Sequence, residues 1–371
     1  MVETYSGCKP DLQLSEIMAR PETAYSTKWI DHLIEGYVEI EGMQVPKLSR
    51  TISLKDQLGS MMVRCGINRM AYHFPAGLYL IGEQTADMPV IVSCNYKLTL
   101  DSVRSNLKGP GYWLLVLDTK GVNVWCAAGK GTFGTEELVF QLVKRQVGKV
   151  TGARSVVLPQ LGASRMTPHI VKSLTKLNVV YGPIRSEDVD AFIEQGYKAT
   201  EKQRTVSFNW WERLVLTPVE FMMSFKFLGL VYLLLLLYNA IGLTKVFSFV
   251  TPLYQTVPFL VALFTGAVLF PLMLPLLPFK AFSLKSITLS LPMTVLLWMG
   301  RAHFALGDSI LGFVGLSMAW IWGIAFIALN FTGSTTFTSL SGVAYEVDQF
   351  KKVTPFALGM CLVALVIGIW I

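Results

Sequence analysis

The chain has 371 residues, of which 52% are hydrophobic and only 15% charged, a balance too apolar for an ordinary soluble domain and one that puts part of it in a membrane. The formal net charge of +7 comes from bases that are scattered or gathered beside apolar runs, which points to anionic lipid rather than to nucleic acid. Charges recur every few residues as far as Thr205 and vanish from long stretches beyond Phe225, so the main domain boundary falls between them.

The opening "MVETYSGCKPDLQ" has no apolar core of the secretory kind, which predicts a cytoplasmic start, and residues 1–50 read as an N-terminal extension. From 51 to 205 strands and helices alternate. "MPVIVSCNY" (Met88 to Tyr96) is a buried-strand run followed by amphipathic "LTLDSVRSNL", and "YWLLVLD" (Tyr112 to Asp118) is a second strand. "EELVFQLVKRQVG" (Glu136 to Gly148) is a helix with acids in its first turn and bases in its last, as the helix dipole prefers. "SVVLPQL" with "TPHIVKSLTKL", then "NVVYGPI" with "SEDVDAFIEQG", repeat the alternation, with Thr167-Pro168 and Ser186 as helix starts. The pattern predicts a Rossmann-like α/β domain with a mostly parallel sheet, which binds ligands at the carboxyl ends of its strands.

Residues 206–224 read as a juxtamembrane linker, with Trp210 and Trp211 as an interfacial anchor. Five stretches then approach the ~20 apolar residues that cross a bilayer: Phe225–Leu243, Tyr254–Leu277, Ile287–Met299, Ser309–Asn330 and Thr354–Ile371. They predict an all-α transmembrane domain of five helices over 225–371, the third with the least certain ends. Lys198, Lys202, Arg204, Arg213 and Lys226 precede the first span, Lys280 with Lys285 and Lys351 with Lys352 follow the second and fourth, and the opposite loops hold only Lys245 and Arg301. The bias predicts a multi-pass protein of the cell (inner) membrane with its N-terminal domain cytoplasmic and its C-terminus outside. Pro258, Pro271, Pro275 and Pro278 make the second span breakable. Met293, Met299, Met318, Met360 and Cys361 read as ordinary apolar packing, and the polar loop "NFTGSTTFTSLSG" (Asn330 to Gly342) as a surface for a partner or for the α/β domain.

The cysteines, Cys8, Cys65, Cys94, Cys126 and Cys361, contain no C-x-x-C pair, which argues against a zinc ribbon or an iron–sulfur cluster held by this chain alone. His32, His73, His169 and His303 lie far apart and read as surface or packing residues. "GVNVWCAAGKGTFGTEEL" (Gly121 to Leu138) is where a strand gives way to a helix. Its Gly129, Gly131 and Gly134 spell G-x-G-x-x-G, but the acid a dinucleotide site needs about 20 residues on is missing, since no Asp or Glu stands between Glu137 and Glu187. A P-loop would need glycine in place of Val124 and Ser or Thr in place of Gly131. Cys126 remains, either a small buried hydrophobe or a soft-metal ligand with Lys130 and main-chain amides favouring its thiolate, glycines for close approach and the small Ala127 and Ala128 beside the sulfur.

"NVWCAAGK", Asn123 to Lys130, resembles the signature motif of HgcA, the family of mercury-methylating corrinoid proteins, and an α/β domain followed by five spans resembles that family's layout. "CNYKLTLDSVR" (Cys94 to Arg104), "LPQLGA" (Leu158 to Ala163) and "VVYGPIRSEDVDAFIEQGYKAT" (Val179 to Thr200) resemble the corrinoid-binding domain in the large subunit of the corrinoid iron–sulfur protein. The resemblance implies cobalamin or a related corrinoid held base-off, with Cys126 as lower axial ligand of cobalt and the catalytic residue. Asn123, Val124, Trp125, Ala127, Ala128, Gly129, Lys130, Gly131 and Thr132 are then the segment beneath the corrin ring, a cap helix in the family. A helix there competes with the strand-like composition of Val122 to Trp125. The D-x-H-x-x-G pattern of the other common corrinoid module is absent. The implied activity is a methyltransferase that passes a methyl group from cobalt to Hg(II) to form methylmercury. The implied partners are HgcB, a ferredoxin-like protein with two 4Fe–4S clusters, and a methyl donor system linked to methyltetrahydrofolate. The alternative is a membrane-tethered corrinoid methyl carrier of one-carbon metabolism with a different acceptor.

Overall fold

Val90–Cys94, polar only at Ser93, and Gly111–Leu117 are apolar runs, and every residue in both is buried, the behaviour of strands covered on two faces. They lie at the centre of a seven-stranded sheet in the computed structural model, which describes residues 13–240, 248–304, 309–331, 337 and 340–370. The strands are β1 (Ile34–Ile40), β2 (Met43–Leu48), β3 (Gly77–Gly82), β4 (Val90–Cys94), β5 (Gly111–Leu117), β6 (Ser155–Leu158) and β7 (Asn178–Tyr181). Their spatial order is β1-β2-β3-β5-β4-β6-β7. β5, β4, β6 and β7 run parallel, β3 pairs antiparallel with β5, β2 parallel with β3, and β1 antiparallel with β2. The sheet is thus mostly parallel with a reversed edge.

That edge corrects the reading of residues 1–50 as an extension, because β1 and β2 lie within it. Ile40 pairs with Met43 across Glu41 and Gly42, whose φ values are both positive, 51° and 74°, the mark of a two-residue type I′ hairpin. Glu at the first turn position hides a signal that Asn or Asp would have made plain.

Side chains of β5 alternate between two cores: Trp113, Leu115 and Leu117 join one with Val90, Val92, Leu138 and Phe140, while Tyr112, Leu114 and Val116 join another with Ile91, Leu100, Phe192 and Leu33. Helices cover both faces, α3 (Lys97–Asn106) on one and α5 (Thr135–Lys144) on the other.

The helix α2 (Leu54–Arg64) is inverted. It buries Asp56 and leaves Leu54, Leu58 and Met61 exposed. The inversion has a cause: Asp56 joins a buried ion cluster with Arg104 (3.0 Å) and Lys97 (3.8 Å), and Asp101 pairs with Arg104 (2.9 Å) and Lys97. Asp56 also meets His32 at 2.9 Å and accepts from the Ser53 amide at 2.9 Å, while Arg104 donates to the carbonyls of Ser49 and Thr51.

Residues 207–371, with 64–66, form a second compact unit. Among its described residues five helices are long and apolar enough to cross a membrane: Trp210–Leu237, Val250–Met273, Phe282–Met299, Ile310–Asn330 and Gly342–Ile367. The linker expected over 206–224 is helical from Trp210, because Asn209 and Glu212 form a reciprocal capping box that starts the helix there. That helix runs 29 residues to Tyr238, about 43 Å at 1.5 Å per residue, and so outruns a hydrocarbon core of about 30 Å. The second span is interrupted, as its prolines suggest: an α-helix (Val250–Phe264) passes through a π turn (Thr265–Leu269) into Phe270–Met273. Two buried cations hold carbonyls at its end, Arg213 donating to Leu272 (3.2 Å) and Lys285 to Leu274 (2.8 Å), where a helix C-terminus favours positive charge. The third span starts at Phe282, five residues before the expected Ile287, and the helix of the fifth starts at Leu340 rather than Thr354. Cys8, Lys245, the expected span ends at Leu243 and Ile371, and most of the polar loop after Asn330 lie outside the described residues.

Candidate functional site at the carboxyl end of the central strand

The loop after β5 is built around one side chain. Asn95, just past the end of β4 and fully buried, accepts through Oδ1 from the Thr119 amide (3.1 Å), the Thr119 hydroxyl (2.9 Å) and the Gly121 amide (3.0 Å). Its Nδ2 donates to Asp118 Oδ1 at 3.2 Å. Gly121 turns the chain with φ +69°, and a Cβ there would stand 2.7 Å from the His73 ring. Two carboxyl ends of the parallel block are thereby tied together two residues before Asn123.

Asn123 settles the competition between strand and helix. Its side chain accepts from the Cys126 amide at 2.9 Å and starts a helix, α4 (Val124–Lys130), which Gly131 ends in the left-handed conformation at φ +84°. The strand propensity of Val122, Val124 and Trp125 is overridden because Asn95 fixes the turn and Asn123 satisfies an orphan helix amide. An Asn123→Ala variant is expected to cost α4 about 1 kcal/mol, visible as a roughly five-fold loss of hydrogen-exchange protection at the Cys126 amide.

The helix has two faces. Val124, Ala127 and Ala128 point into the protein, at 6%, 0% and 2% exposure. Trp125, Gly129 and Lys130 are exposed and Cys126 is partly exposed, as expected for positions one turn apart. The alanines are therefore small so that α4 can seat on the core and on the Gln160–Arg165 turn, not to clear space beside the sulfur. The three glycines also divide: a Cβ on Gly129 would meet nothing within 4 Å, Gly131 is the C-cap, and Gly134 precedes α5. Gly129 lies inside a helix, so the G-x-G-x-x-G spacing does not form a phosphate loop between strand and helix. Thr132 is half-buried, its amide donating to Ala127 (3.0 Å).

Beyond β6, the Gln160–Arg165 turn packs against α4, and a Cβ on Gly162 would come within 2.3 Å of Phe133. Gln160 Oε1 is buried there without a hydrogen-bond partner.

Electrostatics around the loop favour a charged Asp118. Burial alone would raise its pKa, but hydrogen bonds from Lys120 and Tyr25 hold it below the usual carboxylate value. Tyr25 is pushed well above the ordinary phenol range by burial and by Asp118. Among the described residues no three His, Cys, Asp or Glu side chains gather as a metal site. Cys94 is buried in β4 with its thiol pKa raised by burial, Cys361 is buried, and His32 and His73 are engaged with Asp56 and Tyr25.

These features define a class: a Rossmann-like α/β domain that presents a cysteine on a short capped helix at the ligand edge of its parallel strands. Residues 64–193 match the model of the CO dehydrogenase/acetyl-CoA synthase delta subunit family. The chain is 30% identical over 125 residues to the acetyl-CoA decarbonylase/synthase complex subunit gamma of Methanosarcina acetivorans, covering 33% of this chain and 26% of that protein. It is 28% identical over 127 residues to that of Archaeoglobus fulgidus (34% and 27%) and 29% over 121 residues to that of Methanopyrus kandleri (32% and 26%). The chain thus spans about a quarter of the length of the curated relatives it matches. The motifs Cys94 to Arg104 and Leu158 to Ala163 fall inside the matched region, as does α4.

Proposed function

We propose that this protein is a membrane-anchored corrinoid methyltransferase that passes a methyl group to Hg(II), forming methylmercury. The observation that carries the reading is the partly exposed, unpaired thiol of Cys126 on the outer face of α4. One thiol with no companion ligands suits a metal whose other ligands come from a macrocycle. The residues fit such a group: Gly129 leaves the face clear, Trp125 offers an apolar surface at 37% exposure, and Gln160 Oε1 lacks a partner nearby in the chain.

When bound, a base-off corrinoid would supply a methyl group for transfer, with its bonding electrons, to the electrophile Hg(II). Cys126 would hold the cobalt as a thiolate and donate electron density to it, as thiolates do to haem iron. Asn123 and Gly131 cap the helix that aims the sulfur, and Trp125, Gly129, Lys130 and Thr132 line or flank its outer side. Val124, Ala127 and Ala128 support it from beneath. Electrons to restore the cofactor come from outside, since no cluster ligand set occurs among the described residues. A ferredoxin-like partner, HgcB, fits that need, and a methyltetrahydrofolate-linked system fits the supply of methyl groups. The loop charges support a cytoplasmic α/β domain and an outer C-terminus.

The second reading, a corrinoid methyl carrier of one-carbon metabolism with another acceptor, draws on the names of the relatives, which are subunits of an acetyl-CoA decarbonylase/synthase complex. The two separate in one assay of the full chain loaded with methylcobalamin. Methyl transfer to Hg(II) at a rate well above that to thiol acceptors is expected, and transfer to thiols alone would reject mercury as substrate.

A further inference from the structure

Residues 20–25 lie outside the matched region, yet four of the six side chains in this short segment, Arg20, Glu22, Thr23 and Tyr25, reach the elements on either side of α4. Tyr25 donates to Asp118 Oδ1 at 2.5 Å, and its ring lies 4.6 Å from that of His73, the ring that abuts Gly121. Thr23 Oγ1 accepts from Lys120 Nζ at 2.7 Å, and the same ammonium meets Asp118 at 2.6 Å. Glu22 pairs with Lys144 at 2.6 Å and with Arg145. Arg20 pairs with Glu137 and stands 4.2 Å over the Phe140 ring. Glu137 is itself buried and accepts from the Asp118 amide at 2.8 Å and from Gln141 at 3.0 Å.

The contacts fall on two places in sequence. One is the loop 118–120, three residues before the cap of α4, and the other is α5, which begins four residues after Gly131. A segment that only shielded apolar surface would not place four polar side chains on charged groups at both anchors. The loop is already tied within the domain by Asn95 and by Glu137, which accepts from the Asp118 amide, and each further charge-assisted bond lowers the frequency with which it opens.

We propose that residues 20–25 are a strap that positions the Cys126 helix, with Arg20 and Tyr25 as positioning residues; the role of the thiol as a cobalt ligand rests on the function proposed above, whereas the strap's hold on the loop does not. Loosening it frees the loop that carries Asn123 and lets α4 wander from the place where the sulfur meets its ligand.

The test uses the full chain in detergent, first without corrinoid. Alkylation of Cys126 by iodoacetamide is followed by peptide mass mapping, with partly exposed Cys65 and buried Cys94 as internal references. Tyr25→Phe and Arg20→Met are each expected to speed Cys126 labelling about ten-fold, the effect of losing one hydrogen bond to a charged group on a local opening equilibrium, with Cys65 and Cys94 unchanged. Thr23→Val, which removes the acceptor of the Lys120 ammonium and leaves the Tyr25 and Arg20 bonds to carboxylates in place, is expected to give a smaller rise. Unchanged Cys126 labelling in Tyr25→Phe and Arg20→Met, or equal acceleration at Cys65 and Cys94, overturns the strap, the latter by assigning these contacts to general stability. After addition of cobalamin, the visible spectra of Tyr25→Phe and Arg20→Met should move toward that of Cys126→Ala. If Cys126→Ala itself binds cobalamin with an unaltered spectrum, the ligand reading fails while the labelling result still decides the strap.

Discussion

Cys126→Ala is expected to abolish methyl transfer to Hg(II) while leaving the protein folded. The fold should survive because the side chain is partly exposed, the thiol holds no core contact of the kind that Ala127 and Val124 make, and alanine is the best helix former. The loss should be large because, on the proposed function, the substitution removes the thiolate that would hold the cobalt. Changes to groups that merely orient a metal ligand cost about 10–100-fold, and removal of the ligand should exceed that. Three measurements on one sample check it: the thermal midpoint, expected within a degree or two of wild type for a solvent-side change of this size; the cobalamin spectrum, expected to shift; and the methylmercury rate, expected to fall below detection. Wild-type rates in the variant would end the assignment of Cys126.

Breaking the buried ion cluster is the second large effect. Asp56→Ala removes the carboxylate that faces Arg104, Lys97 and His32, and leaves two buried cations to share Asp101. Removing one partner of a buried ionic group costs about 3–5 kcal/mol, enough to unfold much of a marginally stable domain, so little folded α/β domain is expected at 37 °C. Denaturant unfolding of the full chain, followed by Trp113 and Trp125 fluorescence, measures it.

The cluster also shapes stability against pH. Burial opposes the charge on Asp56, but hydrogen bonds from Ser53 and His32 and the positive charge of Arg104 outweigh it and hold the carboxyl far below its ordinary value. The stabilisation is whole above the unfolded carboxylate's pKa of about 4 and is lost as pH falls through the folded value. Lys97 works the other way. Burial lowers its ammonium to about 8, so between there and the free lysine's ~10.4 the unfolded chain holds the extra proton and stability rises with pH. A thermal midpoint that falls in acid and climbs between those two alkaline limits is expected, with the acid limb flattened in Asp56→Asn.

Much of the architecture was legible from one dimension. The apolar runs at Val90–Cys94 and Gly111–Leu117 could only be strands buried on both faces, and the charge-free stretches beyond Phe225 could only be long apolar helices, since composition sets the medium a segment tolerates. Cys126 stood out for the same kind of reason, being left over once the acid missing after Glu137 and the misplaced Val124 and Gly131 had removed the nucleotide motifs. Helix ends were less legible: the start at Trp210 depends on a reciprocal bond between Asn209 and Glu212, and apolar counting does not see caps.

What the linear pattern could not carry was every decision made between distant residues. Strand-like Val122 to Trp125 becomes a helix because Asn95, more than twenty residues away, ties down Thr119 and Gly121. α2 turns its apolar side outward because Asp56 finds Arg104 and Lys97 forty or more residues on. Residues 20–25 look like an idle tail until Tyr25 meets Asp118 and Arg20 meets Glu137. Local period and propensity are properties of a few neighbouring residues. By themselves they determined the parallel strands β4 to β7 and the spans, and motif likeness singled out the candidate thiol, while the antiparallel edge, the burial of charge and the fixing of a loop depend on partners that only the folded chain brings within hydrogen-bond reach.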